Sequence, residues 1–181
     1  MNDDSYVISL KRDNGKIGFL FPILSVTALI ILIVLINIIP LLFFGNYIFF
    51  TGMASLGLIF LEVKLIRSLR VEYELEINGE LVSVGKIIDG KKRVDLAGFS
   101  LRQCEFIGPV TADDFKYDSE KADFVLNCTS LRKFELNDTT WFFYVPENNY
   151  TYIVVFEFDA QMYPIFRRYN AHRTFTRNMR G

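Results

Sequence analysis

Residues 71–96 read VEYELEINGELVSVGKIIDGKKRVDL, and this stretch decides the fold of the C-terminal part of the chain. In Val71–Ile77 apolar side chains alternate strictly with glutamates, which is the pattern of a β-strand with one face buried. Asn78-Gly79 suits a type I′ hairpin turn, and Asp89-Gly90 suits a second tight turn, because both dipeptides tolerate positive φ angles. The stretch predicts an antiparallel meander with strands at Val71–Ile77, Glu80–Ile88 and Lys91–Leu96.

Further strands are predicted towards the C-terminus, where apolar and aromatic residues alternate with polar ones. They lie at Cys104–Pro109, Asp123–Thr129, Thr140–Pro146 and Tyr150–Phe158. Between the first two, Thr111–Lys121 is rich in acidic residues and has no strong period. We expect this segment to be a solvated loop.

A helix is predicted near the end of the chain. Met162, Ile165, Phe166 and Tyr169 have the i, i+3, i+4, i+7 spacing of a helix that packs on a core. Asp159 suits the N-cap position, where its side chain accepts a backbone hydrogen bond. Pro164 leaves two alternatives, because proline breaks an interior turn: the helix is kinked, or it begins at Pro164 after an irregular turn.

The segment before the meander has a different character, because residues 17–61 contain no Asp, Glu, Lys or Arg. A membrane-spanning helix needs about 20 apolar residues, so this block is too long for one span and suits two. Pro40 and Gly45-Asn46 are its breaker signals. We predict a transmembrane hairpin at 17–66, with the first span at about 17–39 and two alternatives for the second, 41–61 or a shifted 47–66. Cleavage as a signal peptide is not expected, because the first apolar stretch is too long.

Basic residues flank the uncharged block on both sides. Lys11, Arg12 and Lys16 precede it, and Lys64, Arg67 and Arg70 follow it. Positive flanks remain in the cytoplasm, so both termini are predicted to be cytoplasmic, with residues 1–16 as a cytoplasmic tail of a two-span cell-membrane protein. Within the spans, Asn37 either pairs with the neighbouring helix or lies at the outer interface. Thr51 and Ser55 form a small-x-x-x-small pair that allows close helix approach.

Composition supports this division of the chain. The 181 residues are 51% hydrophobic and carry 20 basic and 21 acidic residues, all of them outside residues 17–61. These values exclude a disordered chain, a collagen-like chain and a disulfide scaffold, and they argue against a wholly soluble protein.

Two segments resemble a known family. Glu74–Arg93 is similar to the opening of membrane-anchored bacterial pleckstrin-homology-like (PH-like) domains, in particular an uncharacterised family with two N-terminal spans. Val154–Asp159 and Arg167–Asn170 resemble the last strand and helix of that family. The resemblance implies an α+β membrane protein: the helical hairpin, then an antiparallel β barrel or sandwich of about seven strands over residues 69–170, capped by a C-terminal helix. Residues 171–181 form a basic tail. The family has no settled catalytic residues, so none is assigned.

The sequence offers no convincing catalytic, cofactor or metal site. His172 is the only histidine and lies in the terminal tail, where a base is poorly positioned. Cys104 and Cys128 lack neighbouring zinc ligands and fit small core residues in a reducing compartment. The acidic segment around Asp113 and Asp118 lacks the pattern of a calcium loop. We therefore expect no enzyme, no cofactor and no small-molecule substrate.

Two functional hypotheses remain, besides contact with the lipid bilayer itself. In the first, the β domain is an interaction or scaffold module for a protein partner or a second copy, and an alternating strand turns two of four aromatic residues outward: Trp141, Phe142, Phe143 and Tyr144. In the second, a basic hairpin face senses anionic lipid or phosphate headgroups through Lys86, Lys91, Lys92 and Arg93. Nucleic-acid binding through the arginine-rich tail is not expected, because the rest of the domain is acidic.

Overall fold

The structure is a computed structural model that describes residues 5–43, 48–147 and 149–175. The chain divides into two compact units: residues 1–12 with 71–181 form the β unit, and residues 13–70 form the helical unit. The helices are α1 (Gly15–Phe43), α2 (Ile48–Ser68), α3 (Asp113–Lys121) and α4 (Tyr163–Tyr169). The strands are β1 (Ser5–Lys11), β2 (Val71–Asn78), β3 (Leu81–Ile88), β4 (Lys92–Ser100), β5 (Phe106–Pro109), β6 (Phe124–Asn127), β7 (Thr140–Glu147) and β8 (Tyr150–Glu157).

Sheet 1 is antiparallel, with strand order β1-β2-β3-β4. Its first strand corrects the sequence-based expectation of an N-terminal tail. Ser5 lies opposite Asn78, and Lys11 lies opposite Glu72, so β1 is the outer neighbour of β2. The residues of β1 alternate between exposed and half-buried, as expected for a strand with one face on a core.

Sheet 2 has the order β5-β7-β8-β6. β5, β7 and β8 are antiparallel neighbours, as the sequence predicts, whereas β6 runs parallel to β8 and departs from that pattern. A parallel pair requires a crossover, and here the chain passes through β7 between β6 and β8. The β unit therefore has eight strands among the described residues rather than about seven. Its two sheets form a sandwich that is not closed into a barrel.

The core of the β unit lies between the sheets and is sealed by α4. Ile77 and Val84 from sheet 1, Phe143 and Phe156 from sheet 2, and Phe166 of α4 are all fully buried there. The Phe143 and Phe156 rings stack with their centroids 4.4 Å apart, and the Phe166 ring meets Phe143 edge-on at 5.4 Å. Both geometries are favourable for aromatic pairs.

The two hairpin turns of sheet 1 have different backbone conformations. Asp89 and Gly90 both have positive φ angles, 55° and 63°, which matches the expected tight turn. Asn78, in contrast, is paired with Leu81 as the last residue of β2, and Gly79 is the turn residue with positive φ, at 62°. The hairpin is therefore where the sequence predicts it, but the turn is Gly79-Glu80 rather than Asn78-Gly79.

Two helices of the β unit also refine the expectations. The acidic segment predicted as a loop contains α3, whose first turn carries Asp113 and Asp114 and whose last turn carries Lys121. That charge distribution complements the helix dipole, and Phe115 anchors the helix by contacting the Phe142 ring at 4.9 Å. At the C-terminus, Asp159 caps a short 3₁₀ turn and Pro164 lies in the first turn of α4, so the second alternative holds.

The helical unit consists of α1 and α2, both long and apolar enough to cross a membrane. The predicted first span lies within α1, but Pro40 is inside that helix and does not form the turn. The other breaker, Gly45-Asn46, falls outside the described residues. Because α2 begins at Ile48, the second span agrees better with the shifted alternative of 47–66 than with 41–61.

The contact between α1 and α2 has a polar centre. The Asn37 side chain donates hydrogen bonds to the Ile33 carbonyl, at 2.8 Å, and to the Ser55 hydroxyl, at 3.0 Å. Thr51 and Ser55 are buried. Of the two alternatives for Asn37, pairing with the neighbouring helix is confirmed, and the small-residue pair lies where the helices meet.

Candidate functional site

The helical unit is inserted between two neighbouring strands of sheet 1. The Arg12 backbone N–H, just after β1, donates to the Val71 carbonyl at the start of β2, at 2.8 Å. The chain thus leaves the β unit after Arg12 and re-enters it at Val71, and these two residues are hydrogen-bonded neighbours. Since β1 and β2 share a sheet, the segments before α1 and after α2 lie on the same side of any membrane that the two helices cross.

The predicted basic face is divided by the structure. Lys86 is half-buried in β3, and Lys91 and Lys92 are exposed at the turn between β3 and β4. Arg93 already has anionic partners within the protein. Its guanidinium lies 2.6 Å from the Glu74 carboxylate, 3.2 Å from Asp95 and 3.5 Å from Glu76. Glu74 foremost, with Asp95 and Glu76, raises the pKa of Arg93. The group of four therefore reduces to three lysines, with Arg93 bound to the acids of its own sheet.

The turn that carries Lys91 and Lys92 lies at the end of sheet 1 where β2 begins and β3 ends. Val71, the first residue of β2, is opposite Ile88, the last residue of β3. The turn after Ile88, with Lys91 and Lys92, is consequently at the end of the sheet where the chain enters and leaves the helical unit.

The prediction that two of the four aromatic residues at 141–144 face outward is wrong. Trp141 and Phe143 pack in the main core, while Phe142 and Tyr144 pack in a second cluster on the other face of sheet 2. All four are buried, with at most 7% of any side chain exposed. The second face is covered by α3 and by the chain around Phe134, so the strand has no solvent side.

An unpredicted groove lies between the outer strands of the two sheets. This seam groove, a cavity of about 220 Å³, is lined on one side by Leu96, Ala97 and Gly98 of β4. On the other side are the rings of Phe124 in β6 and of Tyr150 and Tyr152 in β8, with Glu147 at the end of β7. Sequence reasoning missed it because its walls come from three separate stretches of the chain.

The aromatic wall of the seam groove is ordered and carries a negative charge. The rings of Phe124 and Tyr152 are parallel, with centroids 5.3 Å apart, and Tyr150 is 5.6 Å from Phe124. The Tyr150 hydroxyl donates to the Glu147 carboxylate, and this bond raises the pKa of Tyr150. Burial, reinforced by Glu147, raises the pKa of Tyr152 to about 12. Both phenols are therefore neutral at physiological pH, and Glu147 supplies the charge.

The two cysteines and the histidine considered as reactive residues lie apart, the cysteines in the core and the histidine at the surface. Cys104 and Cys128 are buried, and burial raises the pKa of both thiols, that of Cys128 to about 12, so neither is an activated nucleophile. His172 is exposed after α4. Among the described residues no three His, Cys, Asp or Glu side chains are grouped to hold a metal ion.

Arg12 makes structural contacts within the β unit, whereas the sequence analysis used it only as a basic residue flanking the first span. Its guanidinium lies 4.5 Å from the centre of the Tyr73 ring, a cation–π contact, and donates to the Asn127 carbonyl at 3.3 Å. Arg12 thereby links the end of β1 to the end of β6, in the other sheet.

A two-sheet sandwich capped by a C-terminal helix, with two candidate membrane helices inserted after its first strand, defines a PH-like protein. The model of the family described as "Bacterial PH-like domain (DUF6106)" matches residues 3–176, and the chain belongs to this family. The match includes the helical unit as well as the β unit. Searches of curated proteins and of solved structures found no significant match. The family indicates a module for lipid or protein interaction, and PH-like domains are generally non-catalytic.

Proposed function

We propose that this protein is a membrane-anchored, non-enzymatic interaction module that holds its β unit at the cytoplasmic face of the cell membrane and presents it to a protein partner. The observation that carries the proposal is the insertion of the helical unit between β1 and β2. Only residues 12–14 separate β1 from α1, and only residues 69–70 separate α2 from β2. Two such short connections hold the β unit close to the membrane surface.

The geometry of the inserted hairpin supports an anchor. No Asp, Glu, Lys or Arg interrupts residues 17–61, and the ionisable residues of the shifted second span, Glu62 and Lys64, lie near its end. The middle of each span therefore offers no ionisable residue for an ion or proton path. The polar contact that does lie between the helices, Asn37 with Ser55, joins them to each other.

The cytoplasmic orientation follows from the basic flanks of both helices. A reporter enzyme that works only outside the cytoplasm, fused after Gly181, is expected to show no activity. A fusion before β1 is expected to give the same result, because β1 and β2 share one sheet. Activity in either fusion contradicts the orientation.

The interaction itself is tested by photo-crosslinking in intact cells. A photoreactive phenylalanine analogue replaces Phe124 of β6, which is 43% exposed and lines the seam groove, or Leu136, which is 70% exposed in the loop before β7. Discrete crosslinked species from position 124, stronger than those from position 136, support the proposal. Recovery of an uncrosslinked monomer from both positions contradicts it.

A second candidate function, contact with anionic lipid headgroups, is supported by the position of Lys91 and Lys92. Their turn is at the end of sheet 1 that adjoins the helix connections, and each basic group near an anionic surface contributes about 1 kcal/mol. A dye at Lys91→Cys in the full chain should be quenched by headgroup-attached quenchers in anionic vesicles. The quenching should weaken when Lys86 and Lys92 become glutamine. Equal quenching in zwitterionic vesicles contradicts lipid-charge sensing.

A further inference from the structure

The seam groove has an open strand edge as one wall. β4 is the last strand of sheet 1, so part of its backbone N–H and C=O groups point away from β3 with no neighbouring strand among the described residues. The outer edge of β5 differs, because the chain around Thr174 runs beside Ile107 and hydrogen-bonds to it. One outer edge of the sandwich is therefore covered by the protein itself, and the edge at the groove is open.

Only half of this open edge is protected against strand addition. Natural edge strands discourage pairing with charges and bulges. The first half of β4 carries Lys92, Arg93 and Asp95, and Leu96 is an extra, bulged residue without a Cα partner in β3. The second half, from Ala97 to Ser100, has no charge.

Small residues at the groove leave room for another backbone. Ala97 and Gly98 line the cavity, and a Cβ built on Gly98 would have the Val82 carbonyl as its nearest neighbour, at 3.9 Å. Glycine in a strand interior often marks a position where another backbone approaches closely. Gly98 therefore has open space beside it and no side chain of its own to obstruct an extended chain laid along this edge.

The opposite wall favours a positively charged side chain. Phe124 and Tyr150 are 43% and 41% exposed and offer ring faces, which attract cations. The Glu147 carboxylate lies at the same wall, and no Lys, Arg or His is among the residues that line the groove. A cation over these rings gains both the ring quadrupole and a carboxylate partner.

We propose that the seam groove binds an extended segment of a partner protein as an added strand beside β4, with one Arg or Lys side chain of that segment over Phe124 and Tyr150 and against Glu147. This inference rests on the proposed interaction function and specifies the chemistry of its partner. Main-chain pairing to an edge supplies affinity, and pockets for alternate side chains supply specificity. The basic side chain selects among the segments that could pair.

The test uses the full-length protein in lipid nanodiscs as bait for a displayed library of nine-residue peptides. We expect selected peptides to share Arg or Lys at one position. Replacing that residue by citrulline, the uncharged counterpart of arginine, is expected to weaken binding about tenfold, the effect of about 1.4 kcal/mol. Methylating alternate backbone nitrogens should abolish binding, because the added strand then loses its donors.

Variants of the protein locate the site. Glu147→Lys should lower affinity for the selected peptides at least as much as citrulline does, and Gly98→Phe should block binding by filling the groove. Glu105→Lys is the matched control, since Glu105 is exposed just before β5, at the other edge of sheet 2, and should leave affinity unchanged. The fluorescence of Trp141, buried in the core, verifies that each variant is folded.

Three results overturn the inference: no enrichment of a basic residue, equal binding of the citrulline peptide, or equal effects of Glu147→Lys and Glu105→Lys. Binding of a peptide covering residues 171–181 of this chain, with no library sequence selected, also overturns it and makes a second copy the occupant. If the library fails while position 124 still crosslinks in cells, the interaction function stands and its basic partner segment is wrong. If both fail, both proposals fall.

Discussion

The helical unit and the β unit use the same residue type in opposite ways. Phe19, Phe50 and Phe60 of α1 and α2 are each 70% exposed, whereas Phe142, Phe143 and Phe156 are at most 1% exposed. In the β unit these rings are covered by protein, and in the helical unit they are exposed. Hydrophobicity alone therefore does not distinguish a packed core from a membrane anchor. What distinguishes them is the length of the uncharged run: residues 17–61 carry no charge, whereas the run around Phe142 and Phe143 is bounded by Asp138 and Glu147.

The largest loss of stability is expected when one aromatic ring is removed from the core of the β unit. Phe143→Ala removes a side chain stacked on Phe156 and in contact with Phe99 and Phe166, which should destabilise the β unit by about 3–5 kcal/mol. Denaturant titration of the full chain, followed by Trp141 fluorescence, measures the loss. The matched variant Phe60→Ala, in α2, should leave this transition unchanged. A similar loss in both variants contradicts the division.

The next effect probes the helical unit. Ile30 lies near the middle of α1 and is 57% exposed, so Ile30→Arg places a charge where lipid is expected. Such a charge costs about 2.5–3.5 kcal/mol of membrane insertion on translocon scales. The fraction of protein that resists alkaline extraction from membranes should fall, while Ile30→Leu should behave as the native chain. Unchanged extraction of Ile30→Arg argues against a spanning α1.

A smaller effect tests whether β1 belongs to the β unit. The Tyr6 hydroxyl donates to the Asp159 carboxylate at 2.7 Å, so Tyr6→Phe should lower the melting temperature of the β unit by less than Phe143→Ala does. Hydrogen bonds from the Gln161 backbone and from Tyr6 lower the pKa of Asp159 below its ordinary 3.8. Their stabilisation is therefore present above pH 3.8 and is lost as the pH falls through the lowered value. The difference in Tm between the native chain and Tyr6→Phe should shrink in acid. A difference that persists there contradicts this linkage.

The smallest effect concerns the contact between the two helices. Asn37→Val removes the hydrogen bond to Ser55, and interhelical bonds of this kind contribute about 0.6 kcal/mol. A double-mutant cycle with Ser55→Ala, measured by unfolding in a denaturing detergent, isolates the coupling. A coupling of zero would mean that the pair contributes nothing to holding the hairpin together.

Local sequence signals predicted much of this fold. The alternation in β2 and the Asp89-Gly90 turn act between neighbours in the chain, so the meander could be read directly, and the uncharged block likewise defined the helical unit. β1 was missed because its partner strand follows only after the whole helical unit. α3 was missed because it is short and polar, and its anchor, Phe115, acts through a tertiary contact with Phe142.

The candidate site was less accessible to sequence reasoning. Alternation correctly divided Trp141–Tyr144 between two faces, but it does not reveal that α3 covers the second face. Arg93 looked like part of a basic group because its partners Glu74 and Glu76 are one strand further away, across β3. The seam groove combines Gly98, Phe124 and Tyr150, and only the packing of the sheets shows that they share a cavity.

The central claim is that β1 pairs with β2 across the inserted helical unit. Val7 lies directly opposite Glu76, a distance that suits a disulfide, so Val7→Cys with Glu76→Cys should crosslink on mild oxidation of the full chain in native membranes. The matched pair Val7→Cys with Ser83→Cys should not, because Ser83 is one strand further away. The native cysteines are buried in both variants. A crosslink at 7 and 76 alone is the expected result. Its absence, or equal crosslinking of the two pairs, would contradict the inserted arrangement.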